Sequence, residues 1–229
     1  MNQLLSIIVP AYNEEKTIAR VLARLIALSF PKGALEIIVV NDGSTDGTAA
    51  VLAQFLQKII LISHTQNRGK GAAMRAGLAR AHGLYTIAQD ADAEYAPEEI
   101  PALLAELQNS PDADALYGSR NLTPTGRGYA HYVLGAWLLT KCVNLVFRAH
   151  LTDTYSCYKI MRTDLFRSLN LASNGFEIEM EITARLLKNK KKIIEAPISY
   201  APRAFQEGKK IRWFDGIRGL ATLLRIVLE

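Results

Sequence analysis

Leu84-Tyr85-Thr86-Ile87-Ala88-Gln89-Asp90-Ala91-Asp92 runs from an apolar segment straight into two carboxylates one residue apart. Residues 84–89 read as a strand, so Asp90 and Asp92 stand at its C-terminal end, where open α/β sheets bind their ligands. Carboxylates at i and i+2 repel one another as bare charges and are relieved by a shared divalent cation that prefers oxygen. Alone, the pair is also what a solvated turn looks like. Its weight comes from three further strand ends upstream, each followed by an unusual loop.

Working outward, strand 4–9 leads to a helix over 14–28, in which Ile18, Val21, Leu22, Leu25 and Ile26 recur at helical spacing with Asn13 as N-cap. Strand 36–40 precedes a helix over 46–57. Strand 59–63 precedes a helix over 70–82, closed by Gly83 as its C′ residue. Strand 84–89 carries the acid pair, and Pro97 opens a fourth helix. Four strand-helix units in succession predict an α/β chain with a doubly wound, mostly parallel sheet and helices on both faces.

The loops that follow these strands carry chemistry. Pro10-Ala11-Tyr12-Asn13-Glu14 offers an aromatic ring and a carboxylate, suited to a base or ribose and equally to a simple helix cap with an exposed Tyr. Asn41-Asp42-Gly43-Ser44-Thr45-Asp46-Gly47 is a good turn, and Asp42 could accept hydrogen bonds from a base or sugar. Asn67-Arg68-Gly69-Lys70-Gly71 brings two cations to a helix N-terminus, a natural place for an anionic oxygen. It lacks the P-loop spacing.

Composition bounds the class. The 229 residues are 49% hydrophobic, enough for a sizeable core, and the net charge of +5 suits an anionic partner. Cys142 and Cys157 have no metal-like spacing and read as reduced packing residues. His64, His82, His131 and His150 are scattered. Met1-Asn2-Gln3 runs directly into the first strand, so no cleavable leader is expected. Tyr132 to Leu151 is interrupted by Lys141, Asn144 and Arg148, so no transmembrane helix is expected. The basic residues form no recognised nucleic-acid surface.

Taken in order, SIIVPAYNEEKTI, VVNDGSTDGT, NRGKGAAMRAGLARAHG and QDADAEY resemble glycosyltransferase family 2. More narrowly, they resemble its polyprenyl-phosphate sugar transferases, typified by dolichol-phosphate mannosyltransferase. The resemblance implies one GT-A catalytic domain over 1–229, with residues 1–120 binding the nucleotide sugar and 121–229 the acceptor. It places Pro10, Tyr12, Glu14, Asp42 and Ala91 at the nucleoside, with Lys70 assisting there. Asp90 would lie by ribose and metal, with Asp92 the principal ligand of Mg2+ or Mn2+. Glu94 stands where many relatives have a neutral residue, and either adds a third carboxylate or faces solvent.

In the second half, Ala115 to Arg120 reads as a fifth strand ending in an Arg that would clamp the donor diphosphate bidentately, or form a surface salt bridge. Asn121 to Tyr129 reads as a loop able to close over substrate. Thr152 to Lys159 and Gly175 to Glu181 also match the family, with one of Glu177 and Glu179 entering the site. The family's Arg-then-Gly-Ser-Lys stretch is represented by Arg203, Lys209, Lys210 and Arg212, with Lys209 in place of the expected Ser. These four would receive an acceptor phosphate. Helices 132–147 and 213–228 are apolar enough for core packing or for peripheral membrane contact beside Lys188, Lys190, Lys191 and Lys192.

The expected activity is metal-dependent, inverting transfer from a GDP- or UDP-sugar to a dolichyl or undecaprenyl phosphate, in the cytoplasm or at the cytoplasmic membrane face. The alternatives are a hydroxyl acceptor, with Asp153, Glu177 or Glu179 as base, and a nucleotide-sugar-binding protein without turnover.

Overall fold

The computed structural model describes residues 4–31, 34–123, 130–202 and 213–229. Its strands are β1 (Leu5–Ala11), β2 (Leu35–Asn41), β3 (Ile60–Ser63), β4 (Tyr85–Ala88), β5 (Ala115–Ser119), β6 (Lys159–Arg162) and β7 (Ile193–Pro197). They form one sheet in the order β3-β2-β1-β4-β6-β5-β7. All neighbours are parallel except those of β6, which runs antiparallel to both β4 and β5. The chain steps outward from β1 to β3 on one side, then returns to place β4 on the other. This reversal opens a crevice beyond the C-terminal ends of β1 and β4, the position expected for a ligand.

Leu5, Ile7, Ile8 and Val9 of β1 are fully buried, so the strand reads as a continuous apolar run, as parallel strands covered on both faces do. Helix α1 (Ile18–Ile26) turns Ile18, Val21, Leu22 and Leu25 into that core. Helix α2 (Thr48–Ala53) follows β2, and α3 (Lys70–Arg80) packs directly on β1. A Cβ on Gly77 would fall 2.4 Å from Ile8 Cγ2, so the absence of a side chain sets the helix-to-sheet distance. Gly77→Leu is expected to cost roughly 1–3 kcal/mol by overpacking, read as a lower Tm. An unchanged Tm would mean that α3 stands further from the sheet.

Two local expectations are corrected. Asn13 is not the cap of α1: the helix starts at Ile18, and Asn13 sits in the left-handed region at φ 51°, reaching across to the loop after β2. Gly83 is not a left-handed terminator of α3, which ends at Arg80. A Cβ there would lie 2.5 Å from the Ser6 backbone nitrogen, so Gly83 permits the chain to pass β1.

Beyond β4, a 3-10 turn opened by Pro97 leads into α4 (Ile100–Gln108). Then come α5 (Ala130–Phe147), α6 (Thr163–Ser168), α7 (Ile178–Lys188) and α8 (Trp213–Leu228). Val143 of α5, Met180 and Ala184 of α7, and Leu223 and Ile226 of α8 form a second core. Thr222 of α8 is buried as well. α5 exposes the large apolar side chains Leu134, Trp137 and Leu138, and α8 exposes Phe214, Ile217 and Leu224, with Lys141, Arg218 and Arg225 exposed on the same two helices. No helix among the described residues is long and apolar enough to cross a membrane.

Candidate active site

The loops after β1 and β2 are laced together. Asn13 Oδ1 accepts the Thr45 amide at 2.8 Å, the Asn13 amide donates to Ser44 Oγ, and the Glu14 amide donates to Thr48 Oγ1 at 2.8 Å. These bonds occupy the residues that the sequence pattern assigns to the first helical turn. Pro10 stays within β1 opposite Val40, and the half-buried Tyr12 follows it. Glu14 is buried and accepts Thr17 Oγ1 at 2.6 Å.

Asp42, 3% exposed, joins the second loop to the third. Its carboxylate accepts the Gly69 amide at 2.7 Å and the Arg68 amide at 3.0 Å, and lies 2.6 Å from His64 Nδ1. The anionic oxygen expected at the α3 N-terminus is therefore the protein's own. Gly69 adopts φ +94°, and a Cβ there would sit 2.3 Å from the Asn174 carbonyl oxygen. The Ala72 amide donates to that same carbonyl, so residues 173–175 cover the first turn of α3.

The acidic loop is held from several directions. Buried Gln89 accepts Tyr158 Oη at 2.6 Å and donates to the Asp90 carbonyl. Asp92 Oδ1 accepts the Glu94 amide across Ala93, which is held left-handed at φ 61°. Such backbone, unfavourable for a residue with a side chain, persists only where its surroundings impose it. Ala91 is buried beneath, while Asp90 and Asp92 are half-buried. Glu94 Oε2 accepts Tyr200 Oη at 2.6 Å, and the Ala201 amide donates to the Glu94 carbonyl. The Tyr95 ring packs between those of Tyr158 and Tyr200, at 4.9 and 5.4 Å between centroids.

Asp90 Oδ1 pairs with Lys70 Nζ at 2.7 Å. Lys70 Nζ also lies 3.0 Å from Glu179 Oε1, and Glu179 Oε2 pairs with the buried Lys159. Burial alone would lower the Lys70 pKa, but the facing Asp90 charge, with Glu179 behind it, holds it well above the usual value. Glu179 is thus the acid of α7 that meets Lys70 and, through it, the acidic loop. Glu177 turns back to accept the Gly175 amide.

Arg120 is neither a surface ion pair nor loose. Its Nε and Nη2 form a two-pronged contact with Asp153 at 2.7 and 2.9 Å, and the guanidinium lies 5.1 Å over the Tyr200 ring. Burial would raise the Asp153 pKa, yet the adjacent Arg120 charge holds it below the ordinary carboxylate value.

The family model for glycosyl transferase family 2 matches residues 6–169. The chain belongs to this family. The low-salt glycan biosynthesis hexosyltransferase of Haloferax volcanii is 31% identical over 208 residues, covering 87% of this chain. The match spans 48% of that relative, about half its length. The undecaprenyl-phosphate mannosyltransferase of Micrococcus luteus is 29% identical over 219 residues, covering 88% of this chain and 85% of its own. Glucosyl-3-phosphoglycerate synthase of Mycobacterium tuberculosis, crystallised with Mn2+, UDP-glucose and phosphoglyceric acid, matches with a TM-score of 0.75. It is 22% identical, over 98% of this chain and 80% of the other, which shows the shared GT-A fold.

In this family 2 glycosyltransferase the donor set of the acidic loop suits a divalent cation. Asp90 and Asp92 offer carboxylate oxygens on one half-buried loop, the kind of hard donor that Mg2+ and Mn2+ take alongside phosphate oxygens. Among the described residues no group of three His, Cys, Asp or Glu could hold a metal ion by itself. Arg203, Lys209, Lys210 and Arg212 lie outside the described residues, as does most of loop 121–129. Gln89, Tyr95 and Tyr200 escape sequence reasoning because their partners lie 62 to 106 residues away. No local pattern announces them.

Proposed function

We propose that this glycosyltransferase moves one sugar from a GDP- or UDP-sugar to a polyprenyl phosphate, dolichyl or undecaprenyl, with inversion at the anomeric carbon. The observation that carries the reading is the acid pair in the β1/β4 crevice, tied through Glu94 and Tyr200 to the chain that leads towards α8. The undecaprenyl-phosphate relative, matched over most of its length, supports the acceptor class. Pro10, Tyr12, Glu14, Asp42 and Ala91 would hold the nucleoside, with Lys70 beside them.

A phosphate monoester has a second pKa of about 6, so the acceptor is largely ionised at neutral pH. Its oxygen attacks the anomeric carbon as the bond to the diphosphate breaks, and the nucleoside diphosphate leaves with the electron pair. No strong base is required. That agrees with Asp153, Glu179 and Glu177 each being committed to a partner within the protein. A divalent cation on Asp90 and Asp92, Mg2+ or Mn2+, would supply charge neutralisation at the leaving diphosphate. Arg120, aimed by Asp153, would add a second clamp.

Residues 203–212 connect a segment bound to the acidic loop with helix α8, which exposes Phe214, Ile217 and Leu224. A phosphate received by Arg203, Lys209, Lys210 and Arg212 would leave its polyprenyl tail along α8. The exposed faces of α5 and α8 suit peripheral contact with an anionic membrane at its cytoplasmic face, with Lys188 and Lys190 adding attraction, while Lys191 and Lys192 are drawn to Asp114 and Asp112. Lys209→Ala with Lys210→Ala is expected to raise KM for polyprenyl phosphate at least ~10-fold, with nucleotide-sugar affinity unchanged. Lost donor binding with normal lipid kinetics would move this loop to the donor. The reading as a whole is tested by incubating the protein with radiolabelled nucleotide sugars and polyprenyl phosphate, then extracting lipid. Label confined to the aqueous phase for every donor would overturn it.

A further inference from the structure

Four charges of alternating sign run from the interior of the acceptor half to the acidic loop: Lys159, Glu179, Lys70 and Asp90. The inner pair is almost wholly buried, at 2% and 5% exposure, and Lys159 is further fixed by the Ser156 carbonyl and the face of Tyr117. Lys70 is the shared member. Its ammonium stands between two carboxylates at similar distances, 2.7 Å from Asp90 and 3.0 Å from Glu179.

We infer that Glu179 and Lys159 are positioning residues that set how much of the Lys70 charge falls on Asp90, and so how tightly the acid pair takes a divalent cation. The inference rests on the reading that Asp90 and Asp92 hold that cation. Lys70 acts as an internal counter-ion for Asp90. Glu179 draws part of that charge away and leaves Asp90 more negative towards an incoming cation. Lys159 limits how strongly Glu179 can do so. The two inner residues therefore pull in opposite directions, which a purely structural ion pair would not.

The test is Mn2+ binding with UDP or GDP present and no acceptor, followed by the loss of the free-ion electron paramagnetic resonance signal beyond that lost to the nucleotide alone. Glu179→Gln should weaken Mn2+ affinity by roughly 10- to 100-fold, the range seen when groups behind metal ligands are changed. Lys159→Met should instead strengthen it several-fold, by the same electrostatic argument with the sign reversed. Should either single variant fail to fold, Lys159→Met with Glu179→Gln keeps the charges balanced and should show the weakening of Glu179→Gln. Asp92→Asn separates the two readings. If Mn2+ binds the wild type, is lost in Asp92→Asn and is unchanged in the Glu179 and Lys159 variants, the positioning role is overturned alone. If the wild type binds no Mn2+, the metal reading falls and the positioning role with it.

Discussion

Asp92→Ala will reduce sugar transfer by at least ~100-fold while leaving thermal unfolding nearly unchanged. The loss scales with other cases in which a group that stabilises charge in the transition state is removed. Fold is preserved because the Asp92 carboxylate is half-buried on a loop, where it accepts the Glu94 amide within its own turn. Initial rates with saturating Mn2+ and a melting curve on the same preparation provide the check. Normal metal-dependent turnover in Asp92→Ala would remove the acid pair from the chemistry. Asp90→Asn should also slow transfer, and in addition release Lys70 from its nearer partner.

Arg120→Lys should lower transfer by roughly 100-fold, because an ammonium cannot reproduce the planar fork that Asp153 grips. Wild-type kinetics in that variant would exclude a diphosphate clamp. Removing the other partner has a different signature. Asp153→Asn leaves a largely buried guanidinium without its counter-charge and should destabilise the fold by about 3–5 kcal/mol at neutral pH. Since the folded Asp153 pKa is depressed, its stabilisation is fully present above the ordinary value of about 4. It disappears as pH falls through the lower folded value. Wild type and Asp153→Asn should therefore converge in stability in strong acid and diverge as pH rises. A constant difference across pH would show that packing, not charge, sets the effect.

Much of this architecture is written locally. Apolar runs at 4–9, 36–40, 59–63 and 84–89 become β1 to β4: β1, β2 and β4 lie inside the sheet and are largely buried, while β3 is a half-buried edge strand. The acid pair is legible because it ends such a run. Helix starts are less so. The turn ahead of α1 is diverted by Ser44, Thr45 and Thr48, which offer Asn13 and Glu14 better partners than a helical turn. The choice between Glu177 and Glu179 is likewise invisible, since it depends on Lys70, 109 residues away, and on Lys159, 20 residues away. Of these, Lys159 reaches Glu179 from a strand, β6, that has no periodic signature at four residues.

That short strand has a consequence for how the chain is made. β6 is the sole reversed member of the sheet, and it separates β4 from β5. Among the described residues β5 pairs in the sheet only with β6 and β7, both of which follow it in sequence. A nascent chain that has emerged as far as Arg120 thus carries a bare β4 edge and a β5 with no neighbour. Such an edge is a template for pairing with other chains until residues 159–162 arrive to cover it. The N-terminal half of the sheet is consequently completed by sequence translated after it, and its folding must wait on contacts of long loop length, which form slowly. Slowing synthesis between Arg120 and Lys159 would lengthen the interval in which that edge is open to aggregation.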